Sequence, residues 1–130
     1  MRRIVAALAS LAIAGGAIAA APARSDADQL VMFEQQACPF CADWNRHVGR
    51  IYAKTDEAKV LPLRRVDIDV ARPADLASVR GIVFTPTFVV THCGREIRRI
   101  TGYISDEQFW GLLDEAVKAL KAELACGKSG

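Results

Sequence analysis

Two cysteines, Cys38 and Cys41, flank Pro39 and Phe40 in residues 33–44, FEQQACPFCADW. A pair with this spacing can do three kinds of chemistry. It can supply two of the four ligands of a structural zinc ion, form an inert structural disulfide, or shuttle electrons by thiol–disulfide exchange. The elements on either side of the pair, which must position it, help to decide among these uses.

The segment before the pair predicts a buried strand, and the segment after it predicts a helix. Residues 30–33 read LVMF, an apolar run typical of a buried strand. Pro39 suits the first helical position, because the N–H group that it lacks would have no partner there. The helix is predicted to extend to about Tyr52. Its apolar residues at helical spacing are Phe40, Trp44, Val48 and Ile51.

Cys38 is therefore predicted at a helix N-terminus. The helix dipole and the unpaired N–H groups at that end favour a thiolate over a thiol. Since the thiolate is the attacking species, we expect Cys38 to attack a disulfide. Cys41 lies one turn further along and would resolve the mixed disulfide, which releases the partner.

Three further segments are predicted as strands: residues 61–68, 87–91 and 96–101. The first two strands of the chain are joined through a helix, so they should run parallel. The last two are joined by a tight turn at residues 92–95 and should form an antiparallel hairpin.

Two further helices complete the predicted order β-α-β-α-β-β-α. A short one should begin at Arg72-Pro73 and end at Val79 before Gly81. The other begins at a capping box at Ser105 and runs to about residue 125 with one apolar stripe. Residues 55–59 are polar and predicted as a loop. The fold class is thus α/β, a mixed four-stranded sheet with helices on both faces.

The first 23 residues have the layout of a secretory signal peptide. Arg2 and Arg3 precede an uncharged apolar run at residues 4–20. An uncleaved anchor is the alternative, but a membrane span usually needs about 20 residues. We predict removal of residues 1–23 and export of a soluble domain, residues 24–130, from the cytosol. Disulfides are the default for cysteines in the oxidising environment outside the cytosol.

The charge of the mature domain excludes one class of function. Without Arg2 and Arg3, 15 basic residues balance 15 acidic ones. A near-neutral domain with no basic stripe gives no reason to expect nucleic-acid binding. The pairs Arg64-Arg65 and Arg98-Arg99 lie in predicted strands and are expected on solvated edges. No second apolar surface is evident, so a monomer is expected.

The predicted order of elements, the Cys38-Pro39-Phe40-Cys41 turn and Thr85-Pro86-Thr87 before the hairpin resemble the thioredoxin superfamily. The resemblance covers essentially the whole mature chain. Within the superfamily, the stretches FEQQACPFCADW, RRVDID, GIVFTPTFVV and GYISDEQFWGLL are most similar to the SoxS proteins of bacterial sulfur oxidation, which are periplasmic and thioredoxin-like. This similarity implies a periplasmic location. The resemblance implies a thioredoxin fold and a thiol–disulfide oxidoreductase. Its only redox group would be the Cys38–Cys41 disulfide, with no added cofactor and no metal.

The resemblance also implies a substrate groove. Pro86, preceded by Thr85, matches the proline that thioredoxin-like proteins hold in the cis form against the cysteine pair. The backbone beside it can pair with an extended substrate segment. Pro39 and Phe40 would line the same groove.

The SoxS resemblance implies a reductant that keeps the thiol of a sulfur-carrier protein usable. Its electrons would come from a membrane thiol–disulfide reductase. The residues themselves do not fix the direction of electron flow. A disulfide oxidase or isomerase of the Dsb kind would use the same residues, and a zinc- or copper-binding module without turnover is a further alternative.

The chain departs from the family pattern at two positions. Many thioredoxins carry a buried acid six residues before the first cysteine, where this chain has Met32. Glu34 is the nearest acid and lies on the same side of the predicted strand as Met32. It is expected to face solvent, and the alternative is that it substitutes for the missing acid at some distance. An aromatic residue often precedes the first cysteine, where this chain has Ala37.

The remaining cysteines, Cys93 and Cys126, are predicted to form a structural disulfide. Cys93 lies in the hairpin turn. The returning strand leads about 20 Å away from that turn, and the last helix leads back about 30 Å. A disulfide closing this loop of about 34 residues would be worth about 3–4 kcal/mol in the chain-entropy model. Two free or intermolecular thiols are the alternative.

A zinc site is the rival use of these residues. Cys38, Cys41, Cys93 and one histidine, His47 or His92, could supply four ligands. No second closely spaced pair supports it. Both histidines are expected on the surface, so we favour an exchanging dithiol over a metal site.

Overall fold

The computed structural model describes residues 26–126, and the predicted signal peptide lies outside them. Four strands form one mixed sheet in the order β2-β1-β3-β4. The strands are β1 Gln29–Glu34, β2 Leu63–Asp67, β3 Thr87–His92 and β4 Arg95–Thr101. β1 runs parallel to β2 and antiparallel to β3, and β3 and β4 form an antiparallel hairpin. The predicted sheet is confirmed.

Along the chain, the helical elements lie between the strands and after β4. A helical run over residues 39–52 follows β1. It consists of α1 Pro39–Trp44, a π-helical segment Asn45–Gly49 and α2 Arg50–Tyr52. The later elements are α3 Asp56–Val60, a 3₁₀ turn Ala74–Leu76 and α4 Asp106–Lys121. No helix within residues 26–126 is long and apolar enough to cross a membrane.

The sheet has a different cover on each face. Alternate side chains of a strand point to opposite faces, so Met32 packs on one face and Val31 on the other. Trp44, Phe88 and Phe109 form an aromatic cluster on the Met32 face. The cluster lies under the helical run and α4, with Phe88 and Phe109 ring centroids 4.9 Å apart. The Val31 face is covered by Leu76 and Val79 from the segment that holds the 3₁₀ turn.

Two of the predicted helical boundaries are wrong. Residues 55–59, predicted as a loop, contain most of α3, because Thr55 Oγ1 accepts a hydrogen bond from the Ala58 N–H (3.3 Å) and caps the helix. The helix predicted over residues 72–79 is only the 3₁₀ turn. Leu76 and Val79 are the buried residues of this stretch, and three residues of turn suffice to place them in the core. Gly81 follows with φ +67°.

The last helix begins where predicted and ends earlier. Ser105 caps α4 by accepting the Gln108 N–H (3.2 Å). Its buried stripe packs on the sheet. α4 ends at Lys121 rather than near residue 125, and the chain continues as a turn and an irregular segment to Cys126.

Gly49 ends the π-helical segment in close contact with the core. A Cβ at Gly49 would lie 2.8 Å from Trp44 Cζ3 and 3.1 Å from Asn45 Oδ1. We expect Gly49→Ala to lower the free energy of unfolding by about 1–3 kcal/mol, since the indole ring must shift in a packed core. Gly111→Ala is the matched control in α4. A Cβ at Gly111 would have no atom within 4 Å, so Gly111→Ala should raise the free energy of unfolding by about 0.5–1 kcal/mol. Urea unfolding measures both, and equal effects would contradict the prediction.

Candidate active site

The cysteine pair lies at the junction between β1 and α1. Cys38 is the N-cap residue of α1, Pro39 is its first residue, and Cys38 and Cys41 are joined by a disulfide. The Cys41 backbone N–H donates to Cys38 Sγ at 3.1 Å. Ala37, just before the pair, has φ +56° and turns the chain from strand to helix. The Cys41 N–H is one of the first N–H groups of α1, which have no backbone partner within the helix, and it donates to the sulfur of Cys38 instead.

The two sulfurs differ in exposure. Cys38 is half-buried, whereas Cys41 is 4% exposed and belongs to the main core cluster. A partner's sulfur can therefore approach Cys38 more readily than Cys41. Once Cys38 carries the partner, Cys41 is held one turn away on the same helix. This arrangement can perform a two-step exchange.

The segment before β3 packs against Cys38. The Thr85–Pro86 peptide bond is cis, and Pro86 is buried. Thr85 Oγ1 donates a hydrogen bond to Cys38 Sγ at 3.3 Å. The Thr85 carbonyl oxygen lies 3.4 Å from the same sulfur. The hydroxyl donor favours negative charge on Cys38 Sγ after reduction, while the carbonyl oxygen can accept the proton of a thiol.

Exposed apolar side chains lie on the segments that carry or border this contact. We call Phe40, Val83, Phe84 and Ile104 the apolar rim. Phe84 is 65% exposed and Ile104 is 81% exposed. Phe40 and Ile104 line one cleft of about 590 Å³. Large apolar side chains that remain in water around a reactive sulfur provide a contact surface for a partner.

The position of the missing acid is occupied by a buried thioether. Met32 is fully buried, with the Arg65 guanidinium 3.7 Å from its sulfur. Arg65 also bonds Glu34 (2.7 Å) and Asn45 (2.6 Å). Glu34 lines a cavity of about 430 Å³ together with Cys38 and Cys41. Glu34 is thus an ion-paired carboxylate rather than a free solvent-facing one.

The second cysteine pair lies at the other end of the sheet. Cys93 and Cys126 are joined by a disulfide. Cys93 follows β3, whereas Pro86 precedes it. The six residues of β3 place the two pairs about 20 Å apart. The zinc ligands considered from the sequence are therefore not brought together.

The prediction that His92 is exposed is wrong. His92 is 7% exposed, because β3 carries it under the C-terminal segment. Nδ1 bonds Asp28 Oδ1 (2.7 Å), and Nε2 bonds the Leu124 carbonyl oxygen (2.8 Å). Hydrogen bonding to Leu124, then to Asp28, raises the pKa of His92 above its usual value. His47 is exposed, as predicted.

The structure thus brings together six of the predicted site residues: Cys38, Pro39, Phe40, Cys41, Thr85 and Pro86. Sequence reasoning missed four residues near them, namely Arg65, Val83, Phe84 and Ile104. Apolar residues in a loop carry no periodic signal. Arg65 was expected only as a solvated strand residue, and its partners come from β1 and the helical run.

Comparisons with known proteins agree with this geometry. The model of the thioredoxin-like domain family matches residues 15–117. The periplasmic thioredoxin SoxS from Paracoccus pantotrophus, in its reduced form, is 33% identical. That match covers 72% of this chain and 98% of the SoxS chain, with a TM-score of 0.68.

More distant solved structures share the fold. A thioredoxin from Malassezia sympodialis is 21% identical over 71% of this chain and 79% of its own, with a TM-score of 0.57. A thioredoxin-fold protein from Helicobacter pylori is 18% identical over 76% of this chain and 75% of its own, with a TM-score of 0.58. No curated protein matches the chain with significant sequence similarity.

The chain belongs to the thioredoxin-like family. Its sheet, its helix-capping cysteine and its close-set pair define the class of protein as a thiol–disulfide oxidoreductase.

Proposed function

We propose that this protein is an exported, periplasmic reductant that keeps the cysteine of a sulfur-oxidation carrier protein in its working thiol state. The observation that carries the proposal is the similarity to a periplasmic thioredoxin SoxS over 98% of that protein's length. The apolar segment at residues 4–20 supports export and removal of residues 1–23.

The proposed reaction assigns a role to each sulfur. The Cys38 thiolate attacks a disulfide on the partner protein, forms a mixed disulfide and releases one partner thiolate, which takes up a proton. The Cys41 thiolate then attacks Cys38 Sγ and releases the second partner sulfur. The partner gains two electrons and two protons, and Cys38–Cys41 becomes the disulfide. A membrane thiol–disulfide reductase returns the pair to the dithiol.

The apolar rim supports a protein substrate rather than a small thiol. Phe40 and Ile104 line one cleft, and the exposed Phe84 directly precedes Thr85, whose hydroxyl contacts Cys38. An extended substrate segment can lie along these exposed side chains, with its backbone against Thr85-Pro86 and its cysteine at Cys38. Pro39 and Thr85 fix the position of the Cys38 sulfur in this groove.

The redox state of the pair in living cells tests the proposal. Cells are quenched in acid, free thiols are alkylated, and disulfides are then reduced and labelled with a heavier reagent. Mass spectrometry of the peptide with Cys38 and Cys41 gives the reduced fraction. We expect a mostly reduced pair that becomes oxidised in a strain without the membrane reductase. A mostly oxidised pair in the parent strain would contradict the proposal.

One observation favours the opposite direction as a second candidate. Cys38 Sγ receives the Cys41 N–H and the Thr85 hydroxyl, and stabilising the thiolate makes a dithiol a weaker reductant. A Dsb-like oxidase or isomerase is therefore the second candidate. It predicts a mostly oxidised pair in the same measurement.

A further inference from the structure

The Cys93–Cys126 disulfide has a histidine beside it. A ring nitrogen of His92 and both sulfurs lie within 4.8 Å of one another, and His92 Nε2 is 4.0 Å from Cys126 Sγ. The second pair is about 20 Å from the Cys38–Cys41 pair, the length of β3. The chemistry assigned to the first pair does not use this cluster.

The surroundings of His92 favour the charged imidazolium. Both ring nitrogens face oxygen acceptors, Asp28 Oδ1 and the Leu124 carbonyl. An imidazole ring can donate through both nitrogens only when it is protonated. Glu123 adds negative charge nearby and is itself 3.9 Å from Arg95. His92 thus places a positive charge close to Cys126 Sγ.

We propose that Cys93–Cys126 is a second thiol–disulfide exchange site, at which an external thiolate attacks Cys93 Sγ and Cys126 leaves as a thiolate beside the His92 imidazolium. A nearby positive charge stabilises a departing thiolate, and a better leaving group is displaced faster. Cys126 is the more exposed of the two cysteines, but it is the leaving sulfur because it lies 4.0 Å from the charged ring. Cys93 is half-buried and still open to attack.

The exchange balances with a dithiol as the reductant. Attack breaks the S–S bond and forms a mixed disulfide between Cys93 and the first sulfur of the reductant. The second sulfur of the reductant then attacks the first, and Cys93 leaves as a thiolate. Two electrons and two protons pass to Cys93 and Cys126, and the reductant becomes a disulfide.

The disulfide ties the last described residues to the sheet. Cys126 is the last residue that the structure describes, and it is tied to the β3–β4 turn through Cys93. Cys93 has φ +50° in that turn, a left-handed conformation that usually selects Gly, Asn or Asp. A cysteine at this strained position serves the cross-link rather than the turn. Reduction leaves the segment held only by non-covalent contacts such as His92 with Leu124.

The test isolates the second pair in a Cys38→Ser/Cys41→Ser background. Dithiothreitol is the probe, and alkylation with mass spectrometry follows the opening of Cys93–Cys126 from pH 5 to 8. Rates are expressed per dithiothreitol thiolate. We expect His92→Gln to react about tenfold more slowly than the parent at low pH, with the two rates converging as the parent's His92 loses its proton.

Asp28→Asn tests whether the charge of His92, rather than a change in structure, sets the rate of disulfide opening. Loss of the carboxylate should lower the pKa of His92, so the fast reaction should persist at the lowest pH and fade earlier as pH rises. Equal rates for the parent and His92→Gln at every pH would overturn the proposal. A His92→Gln deficit independent of pH would overturn it as well, since that pattern marks a structural effect.

A monothiol identifies the attacked sulfur. Brief treatment with glutathione, followed by acid trapping and peptide mapping, should place the adduct on Cys93. An adduct on Cys126 alone would overturn the assignment of the leaving sulfur. Because these variants lack the Cys38–Cys41 pair, neither outcome depends on the proposed reductant function.

Discussion

Replacing Cys38 by serine is expected to lower the rate of protein-disulfide reduction by at least about 10³-fold. A serine hydroxyl is not ionised near neutral pH and cannot stand in for a thiolate nucleophile. Cys41→Ser should have a different effect. In that variant Cys38 still attacks the substrate disulfide, but no thiol resolves the product, so a mixed disulfide with the substrate accumulates. Insulin reduction measures the first effect, and non-reducing electrophoresis shows the second.

The control for this prediction is Cys93→Ser/Cys126→Ser. That variant removes the other pair, about 20 Å away along β3, and should keep the insulin-reducing activity of the parent within about twofold. Retained activity in Cys38→Ser, or its loss in the control variant while the fold is intact, would contradict the assignment of the attacking sulfur.

Replacing Phe109 by alanine is expected to lower the free energy of unfolding by about 3–5 kcal/mol. Phe109 is 2% exposed and has its ring centroid 5.6 Å from that of Trp44 and 4.9 Å from that of Phe88. Its loss leaves a cavity between α4 and the sheet that the remaining aromatic rings can fill only in part. Many domains of this size have only about 5–15 kcal/mol of stability, so the effect is a large share.

Leu112→Ala is the matched control on α4. Leu112 is 43% exposed, and its truncation should cost less than about 1 kcal/mol. Urea or thermal unfolding of both variants, with the disulfides oxidised, gives the comparison. Similar losses for the two variants would show that the aromatic cluster does not carry the stability assigned to it.

The sheet could be predicted because its signals are local and strong. The apolar run in β1, the β-branched run in β3 and the Cys93-Gly94 turn each identify their element without tertiary information. The short helical elements could not be predicted in this way. In α3 a single Thr55 cap decides between loop and helix, and a five-residue helix contains too little periodicity to detect. The 3₁₀ turn is likewise set by which residues must reach the core.

The candidate site divides in the same way. Cys38, Cys41 and the Thr85-Pro86 pair carry recognisable motifs in the sequence. The contacts that adjust the site cross between elements. Arg65 in β2 reaches Glu34 in β1 and Asn45 in the helical run. His92 gains its hydrogen-bond partners only when Asp28 and Leu124, from near the two ends of the described chain, meet beside the hairpin. Contacts between residues so far apart in the chain leave no recognisable pattern in the sequence.

The strand order places β2 and β4 at the two edges of the sheet within the described residues. Each edge strand carries two consecutive arginines, Arg64-Arg65 and Arg98-Arg99. An open strand edge is a template for cross-chain pairing, and charged side chains on it oppose aggregation. In β2, Arg64 is ion-paired with Asp75, and in β4, Arg99 is ion-paired with Glu96, so charged groups stand at both edges of the sheet. We expect these groups to oppose edge-to-edge pairing between two copies of the chain.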